Sequence, residues 1–171
     1  MTSEDTGTAR TSLPRPSAIE RLTGAVALLG GLLSLALASL VVVSVLGRWL
    51  ISKPVEGDFE FVKMMTAVAV FAFLPYAQVR RANIIVDTFT SWLSERATRR
   101  IDALWDLVYA ATMAVLGYCL VLGTRDFIRS GETTMMLQIA LWPSILIATI
   151  LCWLLVLASI ATAYERLQGT P

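Results

Sequence analysis

The residues that could do chemistry here are most informative where they are missing. No histidine occurs among the 171 residues, so paired-histidine haem ligation, imidazole metal sites and histidine-activated nucleophiles are all excluded. The two cysteines, Cys119 and Cys152, each stand inside an apolar run, and no CxxC is present. They read as small buried hydrophobes, and two isolated thiols cannot supply the pairs that a membrane thiol oxidase needs. A Gly-rich phosphate loop of the Walker type is also lacking, which removes that route to nucleotide hydrolysis. No catalytic residue, cofactor or metal is therefore expected, and the chain does not read as an enzyme.

The acidic and basic side chains are distributed as pointedly. Four stretches lack Asp, Glu, Lys and Arg altogether: Leu22 to Gly47, Met64 to Val79, Leu107 to Thr124 and Thr133 to Tyr164, of 26, 16, 18 and 32 residues. Proton-coupled carriers usually place an ionisable group inside such a stretch, so a self-sufficient proton-driven pump or small multidrug exporter is disfavoured. Sodium sites are built from broken helices in repeated halves, and no internal repeat is visible.

These residues must be held by a membrane protein. Hydrophobic residues make up 56% of the chain against 16% charged, and mean hydropathy is +0.68, so the bilayer is its solvent. A helix needs roughly 20 apolar residues to cross a hydrocarbon core of about 30 Å. The second stretch is short of that, but is completed by starting near Phe59 and letting Lys63 and Arg80 snorkel to the interfaces. The expected fold is all-α, with four transmembrane helices over about 22–47, 59–79, 105–124 and 142–164 and a short amphipathic interfacial helix in the middle loop. Residues 1–18 and 166–171 read as short tails around a membrane domain of residues 19–165. The first run is too long for a cleaved signal and is expected to remain as a span.

Within the spans, Ala27, Gly31, Ser34 and Ala38 form one small-residue stripe and Ala110, Ala114 and Gly117 another, the pattern that lets helices approach closely. Pro75 falls inside the second span and frees the carbonyl four residues back. Pro143 suits the first turn of the last span, with Trp142 at headgroup level. That assignment leaves Thr133 to Leu141, TTMMLQIAL, as an apolar strap in which Met135 and Met136 need cover, from a protein partner or from the interface itself.

The middle loop, Arg80 to Asp106, carries Ile85, Phe89, Trp92 and Leu93 at helical spacing, with Asp87 and Ser94 as suitable N-caps for a short helix after Asp87 and a second one entering the third span from about Glu95, and with five arginines around the stripe. It predicts an arm over about 84–94 lying in the plane of the headgroups among membrane lipids, with Trp92 at the boundary. Nine Lys and Arg residues fall in the N-tail, this loop and the C-tail, against five in the other two loops. The positive-inside rule places both termini in the cytoplasm. Formal charge is +1 with no basic tract interleaved with aromatics, so no nucleic-acid partner is expected.

The order of features, a polar tail, a long first span ending VLGRWL, then EGDFEFVKMMTAVAVFAFLPYAQVRRANIIVD and a last span opening on Trp142, resembles the small membrane subunit of tripartite ATP-independent periplasmic (TRAP) transporters. The resemblance runs from about Ile19 to Tyr164, although Asn83 stands where the family often has histidine and Ala140 where proline is frequent. It implies a bacterial inner-membrane scaffold that partners a large TRAP permease subunit and a periplasmic substrate-binding protein in sodium-coupled uptake, with organic acids the usual cargo. It also makes Arg48, Glu60, Arg81 and Asp87 candidates for subunit or lipid contacts. The residue pattern itself adds Trp92, Met135, Met136 and Trp142. The small four-span subunit of tripartite tricarboxylate transporters is the alternative of similar architecture.

Overall fold

The computed structural model describes residues 18–80 and 95–168. It contains four helices, α1 (Ala18–Ile51), α2 (Asp58–Val79), α3 (Glu95–Ser130) and α4 (Trp142–Gln168), each long and apolar enough to cross a membrane. The protein is an all-α membrane protein with four transmembrane helices. The expected arm at 84–94 lies outside the described residues.

Helix lengths show how each element meets the bilayer. At 22 residues, α2 is about 33 Å long and only just spans a core of about 30 Å. With 34 and 36 residues, α1 and α3 are about 51 and 54 Å long, so their charged ends extend beyond it. α4 opens at Trp142 with Pro143 in its first turn, where a missing N–H donor leaves nothing unsatisfied.

Packing runs in the order α1, α2, α4, α3: α1 lies on α2, and α4 is held between α2 and α3. The α1 contact stripe is Thr23, Ala27, Gly30 and Ser44. A Cβ placed on Gly30 would sit 2.8 Å from the Cβ of Ala72 on α2, so only glycine allows that approach. This differs from the register read in the sequence. Ala27 is buried with the contact stripe, but Gly31 has open space beside it and Ala38 is exposed. On α3, Ala110 and Gly117 face α4, and a Cβ on Gly117 would touch the Trp153 ring at 3.4 Å.

Pro75 is buried within α2. Several hydroxyls inside the spans bond to their own helices. Ser34 donates to the Gly30 carbonyl at 2.9 Å, Thr149 to Ile145 at 2.7 Å, Ser159 to Leu155 at 2.9 Å and Thr162 to Ala158 at 2.9 Å. In hydrocarbon this back-bonding removes the penalty of an unsatisfied polar group.

Candidate functional site

Polar side chains gather at the two ends of the bundle, and each cluster ties different helices together. At the end where α1 leads into α2, the chain folds back on itself. Lys53 donates its amide to the Gly47 carbonyl at 3.3 Å, and a Cβ on Gly47 would lie 2.8 Å from that Lys53 carbonyl oxygen. The Ser44 hydroxyl donates to a carboxylate oxygen of Asp58 and accepts from the Val55 amide at 3.3 Å. The other Asp58 oxygen accepts from the Phe59 amide at 2.6 Å. A hydroxyl in the last turns of α1 thus fixes where α2 begins.

The same end carries the connection from α3 to α4. Thr133 and Ala140 form an isolated antiparallel bridge, closed by Thr134 N–H to the Ile139 carbonyl at 2.9 Å and Leu141 N–H to the Glu132 carbonyl at 3.2 Å. The strap is therefore a small hairpin. Its tip folds onto α2, where the Glu60 carboxylate accepts from the amides of Met136 at 2.7 Å and Leu137 at 3.1 Å. Leu137 covers Gly57, at which a Cβ would come within 2.2 Å of the leucine Cδ1. Gly57 also has φ +74°, a left-handed conformation that suits glycine alone at such a contact.

At the opposite end, Arg80 joins α2 to the start of α1. Its guanidinium lies 3.2 Å from Glu20, donates to the Tyr76 hydroxyl at 3.0 Å and stands 5.4 Å from the Tyr76 ring centroid. The Tyr76 oxygen, then Glu20, raise the arginine pKa above its ordinary value, so the cation persists. Close by in sequence, Gln78 donates to the Asp106 carboxylate at 2.9 Å, both side chains being buried. This bond links α2 to α3.

Of the residues singled out in the sequence, the structure brings Glu60 together with the strap that bears Met135 and Met136. Arg48 is exposed in the last turn of α1, within electrostatic reach of Asp58. Trp142 opens α4. Arg81, Asp87 and Trp92 lie outside the described residues. Sequence reasoning missed Ser44 and Asp58; Ser44 is one of three serines in the same apolar run, and only its place four residues before Arg48 sets it apart. It also gave Asp106 no partner, whereas α3 carries this residue buried against α2.

The arrangement holds helices; its charged groups face other elements of the same chain. Along the spans much of the exposed surface is apolar, most openly on α1, where Leu28, Leu29, Leu32, Leu35, Val42 and Val43 are all exposed. Comparison with curated proteins and with solved structures returns no match. A family model, described as tripartite ATP-independent periplasmic transporters, DctQ component, matches residues 37–169. That match extends from the middle of α1 through the end of α4, so the chain belongs to the DctQ family and is a TRAP transporter component.

Proposed function

We propose that this chain is the small scaffold subunit of a TRAP-type secondary transporter. It associates in the bacterial inner membrane with a large permease subunit and a periplasmic substrate-binding protein, for sodium-coupled uptake of organic acids. Family membership supports the assembly. The observation that carries the scaffold role is α1, which among the described residues packs chiefly on α2 and leaves a Leu- and Val-rich face uncovered along the membrane. That face can meet another spanning subunit by van der Waals packing, without charged groups crossing the interface. Arg48 and Arg81, Asp87 and Trp92 of the middle loop, and Trp142 are positioned by sequence near the membrane surfaces, where subunit and lipid contacts meet. The charge bias puts both termini in the cytoplasm.

Co-expression of the chain with a large TRAP permease subunit tests the association. A complex that survives purification in mild detergent is expected. A subunit that elutes alone under all such conditions contradicts the proposal. Reporter fusions at Pro171 and near Glu132 test orientation, with cytoplasmic and periplasmic signals respectively as the expected result.

A further inference from the structure

We propose that the strap between α3 and α4 is an anchor in the membrane interface, held at headgroup depth by Glu60; this inference concerns lipid and is independent of the permease assignment. Three observations carry it. The first is depth. The strap does not project away from the bundle, because Glu60 in the first turn of α2 accepts the amides of Met136 and Leu137. The tip therefore lies level with the start of α2. At that level the chain shows exposed aromatics on three helices, Trp49 in the last turn of α1, Phe59 in the first turn of α2 and Trp142 at the start of α4. Such a belt marks the headgroup region.

The second observation is chemical. Residues 133–141 contain no charged side chain, and Met135 and Met136 are 98% and 76% exposed. Flexible, polarizable thioethers suit the irregular boundary between headgroups and acyl chains. The third is backbone satisfaction. A loop entering a region poor in water must find partners for its N–H groups within the protein. Here Thr134, Met136, Leu137, Ile139 and Leu141 all donate within the chain, Ile139 to the Thr134 hydroxyl at 3.1 Å. One carboxylate on α2 thus both fixes the loop's depth and satisfies the amides at its tip.

A nitroxide attached at Met135→Cys in a Cys119→Ser background, with the full chain reconstituted alone in phosphatidylcholine–phosphatidylglycerol nanodiscs, measures this. The Cys119→Ser chain without an added cysteine sets the background from buried Cys152, and Glu132→Cys gives the aqueous reference. The label at 135 should be relaxed more by oxygen than by a water-soluble nickel chelate, and the label at 132 should show the reverse order. Water-like relaxation at 135 overturns the proposal, as does protection that arises only when the permease is co-reconstituted, since the surface would then belong to a protein. Adding Glu60→Gln should shift the 135 label toward the aqueous relaxant with helix content unchanged. An unmoved label removes Glu60 from the account. Leu137→Ala, which frees the tip from Gly57 by a second route, should produce a shift in the same direction.

Discussion

Helices α1 and α4 are equally apolar over their best 18 residues, yet only 6% of that stretch is buried in α1 against 44% in α4. The difference lies in side-chain size. α4 places Ala148, Cys152, Ala158, Ser159, Thr162 and Ala163 on its buried surface, so that α2 and α3 can both approach it. α1 has one narrow stripe of small residues and directs leucines and valines elsewhere. In lipid, apolarity states only that a helix is tolerated, because acyl chains are as apolar as leucine; small residues decide which helices meet. Among the described residues α1 packs chiefly on α2, which leaves the rest of its apolar surface open.

This contrast can be broken most forcefully from the α4 side. Leu155 is fully buried, and Leu155→Ala should destabilise the bundle by about 2–5 kcal/mol, the cost of a core cavity. Reversible unfolding in mixed micelles reads that loss. A change near zero would mean that α4 is not the packed centre. At the α1–α2 contact the error introduced is excess volume. Gly30→Val, with Ala72 so near, should cost about 1–3 kcal/mol by overpacking, whereas Gly31→Val, which meets open space, should cost far less. Equal effects at the two glycines would show that the contact register is wrong.

The smallest effect on the bundle sharpens the contrast most. Leu32→Ala and Leu35→Ala, on the exposed face of α1, should leave the stability of the isolated subunit within about 0.5 kcal/mol of the parent while lowering the yield of co-purified permease. Retention of full permease recovery in the double variant would move the interface off α1.

Much of this fold was legible in the sequence, because an uncharged run of spanning length has few alternatives in a bilayer. Helix ends were less so. Backbone hydrogen bonding continues past the hydrocarbon boundary, and α1 runs through Arg48 to Ile51 while α3 runs through Arg125 and Asp126 to Ser130. Small-residue stripes pointed to close packing, but hydropathy cannot choose between adjacent glycines; the position of Ala72 selects Gly30 over Gly31. Met135 and Met136 stood out as an apolar strap, and Glu60 as a charge beside a span. Their union joins residues 76 and 77 positions apart, which no local pattern encodes. Ser44 with Asp58 and Gln78 with Asp106 were hidden for the same reason: each pairs residues on different helices.

The central claim, that this chain is a scaffold and carries nothing by itself, is tested most directly by reconstitution. Proteoliposomes should hold the subunit alone, the permease alone, the two together, and the two with the binding protein, under an imposed sodium gradient. Sodium-dependent uptake of an organic acid is expected only in the last preparation. Uptake by vesicles containing this chain alone would contradict it.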